Sequence, residues 1–169
     1  MSKSLDLGSG PSPKNPFNAD EVFGVDFDMR PDLSSNIRRA DLVVEPIPYD
    51  NDSFEYVTAF DFIEHIPRVL YMPARRNPFV ELMNEIYRVL KTGGVFLSLT
   101  PGYPHGSAFI DPTHVNIITE GTFPLYFGDS HFQSPWAAIY GFKGAFSVIN
   151  EEWHGPHLFT QLRKISNIK

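Results

Sequence analysis

The sequence predicts one α/β domain, residues 1–169, with a mostly parallel sheet, an antiparallel hairpin at the C-terminal edge, and helices on both faces. Two observations support this prediction. Five short apolar runs are separated by segments long enough for crossover connections, which join parallel strands. Two further strand-like runs flank the tight turn 154–156, and a turn that short joins antiparallel strands.

The strands of the first half follow from its apolar runs. They are predicted at 5–7, 22–26, 37–42 and 54–60. Pro11, Pro13 and Pro16 come soon after the first run. Proline lacks a backbone donor and restricts the residue before it, so we expect a loop in place of the first crossover helix.

The second half begins with the strongest helical pattern of the chain. Leu82, Ile86 and Val89 recur at helical spacing, which predicts a helix over 81–91. Gly93 follows it as the signal that stops the helix. The other predicted elements are a strand over 95–99, a short helix capped by Thr119 and running through Phe123, and strands over 145–153 and 157–165.

Composition excludes several classes of function. The chain has no cysteine, which excludes a disulfide framework, a thiolate metal site and a cysteine nucleophile. The net charge of −6 argues against a nucleic-acid partner. No apolar run approaches the roughly 20 residues of a membrane span, so no membrane partner is expected. Residues 1–5 lack the apolar region of an export signal, so we expect a cytoplasmic protein.

Two predicted strand ends favour a ligand site. Asp6-Leu7-Gly8-Ser9-Gly10 closes the first strand, and glycines there let a ligand approach the backbone. Asp26 ends the second strand 16 residues after Gly10, where its carboxylate can accept both hydroxyls of a ribose. The alternatives are a purely structural turn and a strand-end or cap carboxylate.

The segment after Gly10 separates two nucleotide ligands. A dinucleotide places its pyrophosphate on the N-terminus of the helix that follows the glycine turn. The prolines disfavour that helix, and no third glycine completes the G-x-G-x-x-G pattern. S-adenosylmethionine has no phosphate, and it needs a ribose acceptor, an adenine slot and polar contacts for its amino-acid end. The sequence therefore favours S-adenosylmethionine over a nicotinamide cofactor.

These motifs resemble the class I S-adenosylmethionine-dependent methyltransferases of the methyltransferase type 11-like kind, in a minimal form. The resemblance covers residues 5–101. The segments that carry it are 5–10, 24–26, 40–42, 47–57, 60–66 and 85–94. It implies a Rossmann-like sheet, S-adenosylmethionine as cofactor, and in-line transfer of a methyl group to an unidentified acceptor. Ser12 departs from the family pattern, because it takes the third position of the glycine triplet.

The resemblance also implies roles for individual residues. Asp26 would hold the ribose, Asp41 the adenine amino group, and the backbone amide of Leu42 would face the ring. Asp6 would order the amino end of the cofactor, and Phe60 would lie near the transferred methyl group. The glycine turn that would let the methionine portion pass consists of Gly8, Ser9 and Gly10.

Asp61 and His65 are the candidate catalytic residues, because they follow the fourth strand where an acceptor could approach. His65 would act as a general base, and the alternative is a histidine that merely begins a helix. The Asn/Asp-Pro-Pro-Tyr/Phe/Trp signature is absent after this strand, which disfavours methylation of amino groups on DNA bases.

The segment 102–114 follows the fifth strand and carries His105, Asp111 and His114. These three could form a facial metal site, but we expect contact with substrate and no metal. His154 and His157 flank the final turn, and turn structure explains them. The aromatic residues between 123 and 142 fill a core, line a substrate wall, or form a patch for a homo-oligomer.

Two other functions stay open at this point. A non-catalytic protein that binds S-adenosylmethionine, or an assembly protein of the same fold, would keep the cofactor residues without an acceptor site. A nicotinamide-dependent oxidoreductase is the second alternative, and the prolines after Gly10 count against it.

Overall fold

A computed structural model describes residues 1–28, 35–128 and 136–166. Its strands are β1 Lys3–Leu7, β2 Glu21–Asp26, β3 Ile37–Arg39, β4 Phe54–Phe60, β5 Leu90–Pro101, β6 Phe146–His154 and β7 His157–Lys164. Its α-helices are α1 Pro78–Val89, α2 Ser107–Ile110 and α3 Thr122–Phe127, and its two 3₁₀ turns are Ile63–His65 and Trp136–Tyr140. None of the described helices is long and apolar enough to cross a membrane.

The seven strands form one sheet in the order β3-β2-β1-β4-β5-β7-β6. The first five strands pair in parallel, whereas β7 pairs antiparallel with both β5 and β6. The mostly parallel sheet with an antiparallel C-terminal hairpin is therefore confirmed. This order brings the carboxyl ends of β1, β2, β4 and β5 to one edge, where open α/β sheets bind their ligands.

The two faces of the sheet are covered differently. On one face, Phe79 of α1 contacts both Phe123 and Phe127 of α3, so the two helices share that face. On the other face, residues 8–20 lie over β1 and β4, and Phe17 stacks on Tyr56 with ring centroids 4.3 Å apart. We call residues 8–20 the proline loop; it contains no helix, as the prolines predict. The expected helices are thus seen on the α1 face, and the loop covers the opposite face over β1 and β4.

Helix α1 begins and ends slightly earlier than its periodicity predicts. Pro78 occupies its first turn, where the missing N–H costs no hydrogen bond. It ends at Val89 because Leu90 is already extended and pairs with Phe54 of β4. The strand that follows is therefore longer than the predicted 95–99.

Two other predicted boundaries are wrong. Thr119 does not cap the short helix, because α3 begins at Thr122 after Gly121, whose φ is +84°, and the helix ends at Phe127 and not at Phe123. The backbone amide of Thr119 instead donates to the Thr122 hydroxyl at 3.0 Å. The third strand ends at Arg39 and not at residue 42, because the following residues fold into a turn.

The predicted aromatic segment 123–142 divides between core and surface. Its buried members, Phe123, Phe127 and Phe142, pack with aromatic residues of α1, β5 and β6, so core filling accounts for them. Tyr126, Trp136 and Tyr140 stay partly exposed, and Phe132 lies outside the described residues. A self-association patch on the exposed members stays a prediction.

Replacing Phe123 with alanine should destabilise the fold by about 3–5 kcal/mol, because it empties a fully buried aromatic position. Urea unfolding would measure the change. Ile139→Ala is the matched control, since this side chain is 79% exposed, and its cost should stay within about 0.5 kcal/mol. Equal costs for the two variants would contradict the packing described here.

Candidate functional site

The glycine turn after β1 combines one structural glycine with one open position. The amides of Gly8 and Ser9 both donate to the carbonyl of Val25, at 2.9 and 3.2 Å. A Cβ on Gly8 would lie 2.5 Å from the Phe62 ring, so this glycine permits close packing. At Gly10, with φ +54°, a Cβ would meet nothing within 4 Å, so space for a ligand exists beside the backbone.

Asp26 ends β2 directly beside this turn. Its Oδ2 accepts from the Gly10 amide at 2.8 Å, and its Oδ1 accepts from the Asp28 amide at 2.9 Å. A carboxylate offers about four lone-pair positions, so each oxygen can still accept a hydroxyl. Phe27 follows and is 70% exposed, which leaves an aromatic ring available beside the carboxylate. The sequence interpretation missed Phe27, although an aromatic residue directly after a strand-ending carboxylate is a usable signal.

The Asp6 carboxylate connects the sheet to the proline loop by hydrogen bonds. It is 2% exposed, its Oδ1 accepts from the Thr58 hydroxyl at 2.6 Å, and its Oδ2 accepts from the Lys14 amide at 2.8 Å. Burial raises the pKa of Asp6, while these hydrogen bonds and the Lys14 charge oppose the rise. The Lys14 ammonium lies 4.4 Å from the ring centroid of Phe60, so the same residue also covers the end of β4.

Asp41 and Leu42 lie next to the end of β2. The Ala40 amide donates to the Asp26 carbonyl at 3.0 Å, which brings this segment alongside the ribose candidate. Asp41 shapes the following turn, because its Oδ1 accepts from the Val43 amide at 3.1 Å. Leu42 is buried in the core. The two residues are thus placed beside Asp26, as the resemblance implies, and their contact with adenine stays a prediction.

Asp61 pairs with a histidine from the final hairpin. Its backbone has φ +49°, a left-handed conformation at the carboxyl end of β4. Its Oδ1 lies 2.9 Å from Nε2 of His157. His157 faces Pro101 across the β5–β7 pair, so the hairpin delivers an imidazole to the ligand edge. Sequence reasoning assigned His157 to turn structure, because nothing local shows which strand the hairpin joins.

His65 is oriented by a chain of two side chains. Its Nδ1 lies 2.9 Å from the Thr113 hydroxyl, and that hydroxyl donates to Asp111 Oδ1 at 2.6 Å. Bonds from Thr113 lower the pKa of Asp111, which therefore accepts as a carboxylate. Since the hydroxyl proton goes to Asp111, Thr113 accepts from Nδ1–H. In the neutral imidazole, Nε2 of His65 then carries the free lone pair.

Glu64 and His114 lie against this histidine. Glu64 is 1% exposed, and its Oε2 accepts from the Thr100 hydroxyl at 2.5 Å. Burial is the main cause that raises its pKa. The rings of His65 and His114 lie 4.9 Å apart, edge to face. Neither Glu64 nor Thr113 was singled out in the sequence.

The three candidate substrate residues of segment 102–114 do not lie in one place. His114 and Asp111 both lie beside His65, directly or through Thr113. His105 instead packs on Trp153, with ring centroids 5.0 Å apart. Within the described ranges, the one group of three metal-ligating residues whose ligand atoms lie within 4.8 Å of one another is Glu64, His65 and His114. The facial set considered from sequence is thus not assembled.

A groove of about 680 Å³ lies on the face of the sheet that carries α1 and α3. Apolar and aromatic side chains of α1 and α3 line it, together with Tyr103, Arg68, Arg75 and Glu120. Arg68 donates to the side-chain oxygen Oδ1 of Asn116 at 2.7 Å, and the backbone amide of Asn116 donates to the Glu64 carbonyl at 3.0 Å. The groove is therefore connected to the Glu64–His65 segment through one asparagine.

A family model described as a methyltransferase domain matches residues 5–98, more than half of the chain. The chain belongs to this methyltransferase domain family. The match covers most of β1, the strands β2 to β4, helix α1 and most of β5. No curated protein matches the chain.

Solved structures share the fold of this methyltransferase domain. A chain from the complex between the Haloferax volcanii Trm112 methyltransferase activator and its methyltransferase has a TM-score of 0.63 at 14% identity, over 98% of this chain and 83% of that one. An S-adenosylmethionine-dependent methyltransferase from Mesorhizobium loti has 0.60 at 17%, over 95% and 90%. The [4+2]-cyclase SpnF has 0.62 at 16%, over 98% and 75%.

The buried Asp6 carboxylate should give the domain a recognisable pH dependence. Its pKa is raised in the folded state, so its contribution to stability is present below pH 3.8, the ordinary value, and is lost as pH rises through the folded pKa. The asparagine of Asp6→Asn does not titrate, so this variant does not lose that stability as pH rises. The stability of the natural chain relative to Asp6→Asn should therefore fall as pH rises above about 3.8, measured by urea unfolding without cofactor.

Asp111→Asn is the control of opposite sign. The pKa of Asp111 is lowered by its bonds from Thr113, so its contribution is present above pH 3.8 and is lost as pH falls through the folded pKa. Parallel slopes for the two variants would contradict the assignment of Asp6 as the buried carboxylate.

Proposed function

We propose that this methyltransferase domain binds S-adenosylmethionine at the carboxyl edge of β1, β2 and β4 and transfers its methyl group to an acceptor beside β4 and β5. The observation that carries the proposal is Asp26, a carboxylate with spare acceptor capacity beside the open backbone at Gly10. Family membership supports the same ligand.

The residues at this edge fit the three parts of the cofactor. Asp26 would accept the ribose hydroxyls, and the exposed Phe27 ring would lie against the adenine. The segment of Asp41 and Leu42 supplies a carboxylate and a backbone amide for the adenine edge. Ser9 and Gly10 would admit the methionine portion. The Lys14 ammonium over Phe60 is a cation suited to a carboxylate, which the amino-acid end carries.

The absence of a helix from the proline loop supports this ligand over a dinucleotide. A pyrophosphate is held by the amides of a helix N-terminus, and residues 8–20 provide no helix. The buried Asp6 also fixes the loop across β1 and β4, where the first crossover helix would otherwise lie. This geometry counts against the nicotinamide-dependent alternative.

Asp61 and His157 are the residues that we propose to move a proton. S-adenosylmethionine supplies an activated methyl group, so the protein aligns the acceptor and removes a proton where the acceptor carries one. The pair lies at the end of β4 with a 2.9 Å contact, and the exposed Asp61 carboxylate can orient the imidazole. His65, with its free lone pair at Nε2, would act on the acceptor from the neighbouring position.

The groove of about 680 Å³ is the proposed acceptor site. Its lining is mostly apolar and aromatic and includes Arg75 and Arg68, and Arg68 is connected through Asn116 to Glu64. Such a lining suits an organic acceptor with an apolar or ring-shaped body and an anionic group. His105, Asp111 and His114 lie on the segment that borders the site, and their contact with substrate stays a prediction.

A non-catalytic or differently catalytic role is the second candidate. The [4+2]-cyclase SpnF has a similar fold, so the fold alone does not establish methyl transfer. A homo-oligomer through the exposed aromatic residues, the lack of a nucleic-acid partner and a cytoplasmic location stay expectations from the sequence.

Asp26→Ala should weaken binding of S-adenosylmethionine and S-adenosylhomocysteine by about 10- to 150-fold, since hydrogen bonds to a charged group contribute about 1.5–3 kcal/mol. Calorimetric titration would measure this, with NAD as the competing ligand. His65→Ala is the comparison variant and should bind the cofactor nearly as tightly as the natural chain. Tight binding of NAD alone, or a larger effect of His65→Ala, would overturn the assignment.

His157→Ala should lower kcat by about 10²- to 10⁴-fold on an acceptor that must lose a proton. Its dissociation constant for S-adenosylmethionine should not change. The acceptor would first be found by screening small organic anions for transfer of a labelled methyl group. His154→Ala is the matched control, because this imidazole contacts Glu152 on the exposed side of the hairpin. A loss of cofactor binding with His157→Ala would show a structural role instead.

A further inference from the structure

The cluster of Glu64, His65 and His114 contains buried polar atoms without partners. Glu64 Oε1 and His114 Nδ1 are buried and have no hydrogen-bond partner among the described residues. Glu64 is 1% exposed, and its nearest ion-pair contact from Oε1 is His114 Nε2 at 4.0 Å. A buried carboxylate oxygen without a donor is costly, so it is expected to have a ligand.

The donor set indicates the class of that ligand. A neutral imidazole and an ionised carboxylate each offer a lone pair to a metal ion. Two imidazoles with one carboxylate suit a divalent transition-metal ion. Zinc sites with this set of three protein ligands keep a further position open for an exchangeable oxygen. A small anion does not explain the orphan oxygen, because the carboxylate would repel it.

The distances allow an ion with little movement. The ligand atoms of the three residues lie within 4.8 Å of one another. A tetrahedral ion with bonds of about 2.0–2.2 Å holds its ligand atoms about 3.3–3.6 Å apart. Side-chain shifts of well under one bond length would therefore close the site around an ion. The cluster spans a 3₁₀ turn and the segment after α2, so residues distant in sequence would be joined by it.

The hydrogen bonds of His65 favour the tautomer that an Nε2 metal ligand needs. Its Nδ1–H is donated to Thr113, which passes a hydrogen bond to Asp111, and Nε2 is left with its lone pair. A carboxylate or hydroxyl behind a ligating imidazole is the usual arrangement around bound metals, because it fixes the ring and raises its basicity. The carboxylate of Glu64 is held in turn by Thr100.

We propose that Glu64, His65 and His114 form a binding site for one divalent transition-metal ion, with zinc as the expected occupant and His65 as an Nε2 ligand. The binding itself does not depend on the proposed function. If methyl transfer is also correct, the ion would lie beside the groove and Asp61, where its open position could hold an oxygen of the acceptor. His65 would then act through the ion and not as a free base.

The test uses the full chain, untagged and treated with chelator, without cofactor. Equilibrium dialysis against Zn²⁺, with metal analysis, should find one ion per chain. His65→Ala and His114→Ala should each weaken binding by more than about 100-fold, because each removes a ligand. Thr113→Val keeps all three ligands and should weaken it by about 10- to 100-fold.

His154→Ala is the control for adventitious binding at surface imidazoles, and it should bind zinc like the natural chain. Absorption of Co²⁺ in place of zinc would report the ligand geometry and should change with His65→Ala and His114→Ala. Circular dichroism would exclude unfolding as the cause. A natural chain that binds no stoichiometric zinc, or a His154→Ala variant that loses as much as His114→Ala, would overturn the site. Cofactor titration is separate, so failure of either proposal is distinguishable.

Discussion

The buried carboxylate of Asp6 connects the centre of the sheet to the segment that follows it. It accepts from Thr58 on the neighbouring strand and from the backbone of Lys14 in the proline loop. A loop of this length without a helix has few backbone hydrogen bonds of its own, so it needs an anchor in the sheet. The turn at Gly8 and Gly10 is held next to Asp26 by its own bonds to Val25 and Asp26, and the anchor at Lys14 holds the loop that follows the turn. The geometry of the candidate cofactor edge depends on that arrangement.

The ligand edge is assembled from strand ends that are far apart in sequence. Parallel pairing of β1, β2, β4 and β5 brings the glycine turn, Asp26 and Asp61 to one side, as open α/β sheets do. The antiparallel hairpin then adds His157, because β7 pairs with β5 in a register that faces His157 to Pro101. The segment after β5 adds His114 and Thr113 beside His65. The candidate binding and catalytic groups thus come from five separate parts of the chain.

Local signals predicted most of the fold, and they placed the candidate cofactor residues Gly10 and Asp26 at neighbouring strand ends. Apolar runs located the strands, and strand β4 was predicted to the residue. The prolines predicted a loop in place of the first helix, because proline acts on its own backbone and needs no tertiary context. Element ends were less accurate: Leu90 leaves the helix early because it pairs with Phe54, a residue far from it in sequence.

What the sequence determined by itself was the α/β class, the parallel direction of its first strands and the positions of Gly10 and Asp26 at strand ends, since strand periodicity and turn chemistry are local properties. Only the tertiary structure decided the partners. His157 meets Asp61, His65 meets Thr113, and Glu64 is buried against His114, while His105 is drawn away to Trp153. Each of these contacts joins residues that are distant along the chain. Register and strand order set such distances, and no local pattern of residues encodes them.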